Sequence, residues 1–245
     1  QAYYTAPKQR TGLRRWRRRL LDFVIGSAAV DRSMPTATRT LLDYGCGSGE
    51  FLHVVQNRHP NVGVSGTDVT LPGPVEQLPF QWVDLDALGQ HDRQYDWITL
   101  SHVIEHLDDP RRAVGEIARL VAPGGGVWIA TPNADSFLFG ILRGRARDAD
   151  FPRHRQIYSR RGLTILFEAA GFSITFQPTS RINSLMNLAT SLRNLRRSPV
   201  EFDAEPKPSK VRAVLQTIGH LVTGGGNRNG DEAELIAIAR PMKSL

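Results

Sequence analysis

The stretch LLDYGCGSGEFL, residues 41–52, constrains this chain more than any other. Aliphatic residues run into Asp43, glycines follow at 45, 47 and 49, and apolar residues resume at Phe51 and Leu52. The pattern predicts a strand over 39–44 and a helix over 50–57. Glycine carries no Cβ, so Gly45, Gly47 and Gly49 between a strand and a helix let a ligand press against bare backbone.

The same alternation continues along the chain. Strands are expected at 62–68, 80–83, 96–101, 127–130, 172–176 and 235–239. Helices are expected at 110–121, opened by Pro110 and stopped by the turn signal APGGG, and at 159–170, capped by Ser159 and closed by Gly171. LPGPVEQLPF, residues 71–80, holds three prolines and leaves no room for a full helix. The Arg-dotted segment 134–158 reads as partly helical. Strands alternating with helices define an α/β, doubly wound, mostly parallel sheet of Rossmann type. Ligands of such sheets lie beyond the carboxyl ends of the strands, where these glycines and acids fall.

Three parts are expected: a basic helical segment over 1–38, a core domain from 39–177 and 232–242, and a helical insertion over 178–231. The insertion has two amphipathic stretches, 182–196 and 210–222, around the Pro-rich linker SPVEFDAEPKPSK. They read as a lid, or as a peripheral contact with an anionic membrane. The net charge of +7 gathers in runs such as RTGLRRWRRRL and allows a nucleic acid, an anionic membrane surface or an anionic substrate, or reflects a high-arginine proteome. The single cysteine, Cys46, has no partner for an internal disulfide and reads as a small turn filler. With no secretory pattern and no run of about 18 apolar residues, the expectation is a cytoplasmic protein without an integral membrane span.

The identity of the ligand turns on glycine spacing. The dinucleotide fingerprint is GxGxxG, whereas here it is GxGxG, and Glu50 stands where the third glycine would be. A carboxylate at the mouth of the helix opposes a pyrophosphate. S-adenosyl-L-methionine has no phosphate. Asp43 can meet its ammonium or sulfonium, and the loop N–H groups its carboxylate. Asp68 ends the second strand and can accept both ribose hydroxyls. Asp84 ends the third and can accept from the adenine amine, with the backbone at Leu85 reading the ring nitrogens; Asp86 is the neighbouring alternative.

At this point the sequence resembles the class I S-adenosylmethionine-dependent methyltransferases, of the bacterial branch that includes quinone-biosynthesis and surface-glycan-cluster enzymes. LLDYGCGSGEFL resembles the first family motif, YDWITLSHVIEHLDDP the fourth-strand motif and LVAPGGGVWIATPN the fifth. FPRHRQIYSRRGLTILFEAAGF and GDEAELIAIARP resemble segments of a glycan-associated branch. The resemblance covers about 40–177 and 230–241. It implies seven strands in the order 3-2-1-4-5-7-6, with the seventh antiparallel. It also implies that the backbone at Ser101 and His102 lines the methionine pocket, that His106 faces the substrate, that Glu105 has a structural hydrogen-bonding role, and that PRHRQIYS is a substrate-side loop. The short Asp68–Asp84 span departs from the family pattern and leaves the choice between Asp84 and Asp86 open.

His102, Glu105 and His106 also spell HxxEH, a metal-site pattern when it lies on a helix. Here it follows a buried strand, and Asp108, Asp109 and Pro110 end the turn at once, so no metal is expected. Methyl transfer to a hydroxyl benefits from a base, and imidazole is the side chain suited to that near neutrality. His106 and His154 are the candidates, with Arg153 and Arg155 as bidentate holders of an anionic acceptor. The reading is an S-adenosylmethionine-dependent methyltransferase acting on an oxygen of a small-molecule, glycan or lipid-linked acceptor. Its rivals are a nucleic-acid methyltransferase, disfavoured because SHVIEH replaces an NPPY-type sequence, and a binding protein that has lost turnover.

Overall fold

The computed structural model describes residues 30, 33–90, 93–142, 149–150, 152–179 and 233–242. Among them a seven-stranded sheet runs in the order β3-β2-β1-β4-β5-β7-β6. The strands are β1 (Thr40–Tyr44), β2 (Gly63–Thr67), β3 (Gln81–Trp82), β4 (Tyr95–Ser101), β5 (Val121–Pro132), β6 (Phe172–Gln177) and β7 (Glu234–Pro241). β1 to β5 pair in parallel. β7 is antiparallel to both neighbours, β5 and β6. This is the order and polarity that the resemblance implies.

Helices α1 (Glu50–Arg58), α2 (Leu85–Leu88), α3 (Pro110–Leu120), α4 (Phe137–Leu142) and α5 (Arg160–Glu168) join the strands. The start of α3 is written in its sequence. Asp109 accepts the Arg112 N–H at 3.0 Å and Pro110 opens the first turn. Ala113, Val114, Ile117 and Leu120 then fall on one buried face. Ser159 caps α5 through the Gly162 N–H at 2.9 Å. The three-proline segment holds only a single 3-10 turn, Val75–Gln77.

Successive strand residues feed two cores, because side chains alternate across the sheet. Leu41, Trp97 and Trp128 pack with Leu52 and Val55 of α1 on one side. Leu42, Ile98 and Ile129 pack with α3 and α5 on the other. Each fully buried aliphatic side chain contributes about 1.5–3 kcal/mol, so the two layers hold the sheet rigid beneath its carboxyl edge.

Two local expectations change. APGGG is not the turn that ends α3. β5 begins at Val121 and runs through the glycines, with only Gly124 at positive φ. A Cβ on Gly125 would lie 2.8 Å from the Asp96 carbonyl oxygen, and one on Gly126 2.8 Å from the Trp97 ring. The glycines are there for close strand packing. The short helix α2, absent from the sequence reading, follows β3 directly. The basic N-terminal helix and both amphipathic stretches of the insertion lie outside the described residues.

Candidate functional site

The carboxyl edge of β1, β2 and β4 gathers most of the expected residues. All three motif glycines sit at positive φ: 83° at Gly45, 54° at Gly47 and 76° at Gly49. A Cβ on Gly45 would strike Val103 at 2.3 Å, and one on Gly49 would strike Phe80 at 2.1 Å. A Cβ on Gly47 would meet nothing within 4 Å. Two glycines thus allow the protein to fold tightly on itself, while the middle one faces open space at the mouth of α1.

Asp43 is buried at the end of β1 and accepts the Thr99 hydroxyl at 2.6 Å. Burial pushes its pKa up to about 7, the Thr99 hydrogen bond opposes this, and Asp68 adds to the rise. Asp68 accepts the Gly47 N–H at 2.8 Å through Oδ2 and the Thr70 N–H at 3.3 Å through Oδ1. The second acid is therefore fixed against the glycine turn. Asp84 is exposed and accepts the Asp86 N–H at 2.9 Å, capping α2, with half-buried Leu85 beside it. Cys46 is buried, and burial with the nearby Asp43 and Asp68 carboxylates pushes its thiol up to about 12, which rules out a thiolate nucleophile near neutrality.

The turn after β4 is the second half of the site. Ser101 closes the strand, and the His102 N–H donates to the Ala130 carbonyl at 2.9 Å. The His102 ring lies between two carboxylates, with Nδ1 at 3.2 Å from Glu105 and Nε2 at 2.7 Å from Glu234. Desolvation works against the charged ring, although 48% of its side-chain surface is exposed, and the hydrogen bonds and charges of both glutamates prevail and raise its pKa well above 6.5. Glu105 is fully buried. Burial raises its pKa, yet its bonds to His102 and Thr131 outweigh that and leave it lowered. Sequence reasoning gave Glu105 a structural role but missed Glu234, which only the β5–β7 pairing brings here.

His106 and His154 come together edge to face, their ring centroids 4.8 Å apart. His106 Nδ1 lies 2.7 Å from the Arg153 carbonyl oxygen. That oxygen can only accept, so Nδ1 carries the proton and the lone pair of a neutral ring sits on Nε2. The Glu105 carbonyl accepts the N–H groups of Arg155 and Gln156, stitching the PRHRQ segment onto the turn. Arg153 pairs with Asp150 at 3.0 Å and Arg155 with Asp108. His102 and His106 do not point at a common metal, because the ring of His102 goes to the two glutamates. Ligand atoms of Glu105, His106 and His154 do lie within 4.8 Å of one another. Both oxygens of Glu105 are already engaged, by His102 and Thr131.

The sheet order, with β7 antiparallel between β5 and β6, is that of the S-adenosylmethionine-dependent methyltransferase fold. The residues fit that cofactor: the open face of Gly47 admits it, buried Asp43 suits a cationic neighbour, and Asp68 is oriented beside the turn. The chain belongs to a family described as a methyltransferase domain, which matches residues 8–177. A ubiquinone biosynthesis O-methyltransferase of Thiobacillus denitrificans is 31% identical over 128 residues, covering 46% of this chain and 53% of that protein. A demethylmenaquinone methyltransferase of Thermus thermophilus is 29% identical over 139 residues, covering 52% and 59%. The chain spans about half the length of the curated relatives it matches. Among solved structures, a SAM-dependent methyltransferase from Archaeoglobus fulgidus aligns with a TM-score of 0.56 at 20% identity, covering 89% of this chain and 93% of that one. The plantazolicin methyltransferase BpumL, solved with a triazolic desmethylPZN analogue and SAH, gives 0.54 at 13% identity, covering 92% and 85%.

Proposed function

We propose that the protein methylates an oxygen of a small-molecule acceptor, with glycan or lipid-linked acceptors as the finer class, and that His106 is the base. The observation that carries this is the His106 Nδ1–H donated to the Arg153 carbonyl, which leaves Nε2 as the basic atom. The cofactor supplies an electrophilic methyl group on a sulfonium, whose C–S bonding electrons return to sulfur. His106 Nε2 takes the acceptor O–H proton as the new O–C bond forms. The Gly45–Gly49 turn and Asp68 hold the cofactor in place, with Asp84 and Leu85 at its adenine end. The backbone at Ser101 and His102 borders the methyl donor. His154 packs on His106 and limits its rotation, while Arg153 and Arg155 offer charge to an anionic acceptor. Holding the reacting atoms in line supplies much of the rate.

In this reading residues 39–177 and 232–242 form the catalytic domain, preceded by the basic segment 1–38. The segment 178–231 covers the acceptor or touches an anionic membrane from the cytoplasmic side. The ubiquinone biosynthesis O-methyltransferase relatives support an oxygen acceptor. No described helix is long and apolar enough to cross a membrane. The experiment is a screen of phenolic, quinol and glycan acceptors with radiolabelled S-adenosylmethionine, reading acid-stable methyl incorporation. Labelling of a hydroxyl in one of these classes is expected. Saturable binding of S-adenosylhomocysteine with no acceptor labelled in any class, or in a whole-cell extract, would instead favour a binding protein without turnover.

A further inference from the structure

His102 is the one non-glycine residue at positive φ among the described residues, with φ at 55°. The left-handed region costs an ordinary side chain about 1–2 kcal/mol, so something nearby holds it there. The backbone N–H is tied to Ala130 on β5. The ring is tied at both ends to carboxylates that come from different parts of the chain. Glu105 lies on the 3-10 turn Ile104–His106, three residues on. Glu234 lies at the head of β7, where it pairs with Pro132.

A neutral imidazole has one N–H and one lone pair, and cannot donate to two carboxylates at once. The geometry on both nitrogens is that of an imidazolium. The next residue, Val103, is the one that a Cβ on Gly45 would strike. The turn that His102 shapes therefore rests directly on the glycine loop. Four residues further on stands His106.

We propose that the His102 side chain is a positioning residue: as an imidazolium it joins the head of β7 to the turn after β4, and through Val103 it sets the cofactor loop. This rests on the cofactor reading above and gives that site a control point. Cofactor affinity becomes tied to the placement of Glu234 at the head of β7. Among the described residues, the charged or titratable groups around the ring are Glu105 on the turn and Glu234 on β7, with the Tyr158 phenol near Glu105. Losing the ring proton turns one nitrogen into an acceptor facing a carboxylate, and that arm opens. Glu234 is the more exposed partner, so the β7 arm opens first.

The test uses the full chain and three variants. His102→Asn tolerates a left-handed backbone but carries no charge. His102→Gly removes the backbone strain altogether. Glu234→Gln keeps an acceptor and removes one charge. Imidazole nitrogen NMR of the unliganded wild type should show both His102 nitrogens protonated at about pH 7, with the titration moving to lower pH in Glu234→Gln. Calorimetry with S-adenosylhomocysteine should show affinity falling at alkaline pH in the wild type. Both His102 variants should bind about ten-fold more weakly at neutral pH, with that alkaline fall absent. A neutral His102 ring at about pH 7 would overturn the proposal. So would a His102→Gly protein that binds as the wild type does, since the residue would then serve only the backbone turn. Wild type that fails to bind S-adenosylhomocysteine sinks the cofactor reading instead. In that case the ring titration in wild type and Glu234→Gln still decides whether the clamp exists.

Discussion

Asp68 Oδ2 accepts the backbone N–H of Gly47 at 2.8 Å, so the acid ending β2 is locked to the turn that ends β1. The carboxylate keeps further acceptor capacity for a ligand diol while the turn fixes its direction. Asp68→Ala removes both functions. S-adenosylhomocysteine affinity should fall about 10–100-fold, the scale of one or two hydrogen bonds to a charged group. Calorimetric titration checks this, and unchanged affinity would separate Asp68 from the ribose.

Gly47 and Gly49 should part company on substitution. A Cβ at Gly49 runs into the buried Phe80 ring at 2.1 Å, on a backbone with φ of 76°. Gly49→Ala should lower the thermal midpoint clearly and weaken binding with it. Gly47→Ala meets no protein atom within 4 Å and has only the left-handed cost, about 1–2 kcal/mol. It should stay folded yet bind S-adenosylhomocysteine at least about ten-fold more weakly. Paired melting and binding curves distinguish the two effects, and normal binding by folded Gly47→Ala would remove the cofactor from that face.

Asp43 should exchange a proton on ligand binding. Its pKa is raised from 3.8 to about 7, chiefly by burial. The folded state thus prefers the protonated acid. The contribution of Asp43 to folding is fully present below pH 3.8 and is lost as pH rises through about 7. A cationic ligand group beside it favours the carboxylate. Binding at about pH 6 should therefore release a sizeable fraction of a proton, and that release should be absent in Asp43→Asn. Titrations in buffers of different ionisation enthalpy measure that number, and no release at the lower pH would place the cation elsewhere.

His106→Asn keeps an N–H for the Arg153 carbonyl and removes the basic nitrogen. With an accepted substrate in hand, kcat should fall about 100-fold or more while S-adenosylhomocysteine binding barely changes. A kcat close to wild type would mean that alignment alone drives transfer.

Much of this was written in the sequence, and the exceptions have physical reasons. The strand–helix alternation and the glycine loop are local signals, and the sheet follows them from Thr40 to Pro132. APGGG misleads because glycine marks both turns and tight packing, and only the neighbouring strand decides which. Here the Trp97 ring and the Asp96 carbonyl need the space that Gly125 and Gly126 leave. The hydrogen-bonding role of Glu105 was implied by the family resemblance of the turn, and its partner there, His102, is a local one, three residues away. Glu234 could not be foreseen, because its meeting with His102 exists only once β7 has inserted beside β5.

That insertion also sets a timetable. β7 is the last of the described strands in sequence, yet it lies between β5 and β6, and among the described residues β6 joins the sheet only through it. While the chain is being made, neither β5 nor β6 has its described antiparallel partner strand until residues 234–241 emerge. Open strand edges recruit other chains, and pairings across long sequence separations form slowly. A nascent chain of this protein is thus most in need of a chaperone just before its synthesis reaches the closing strand.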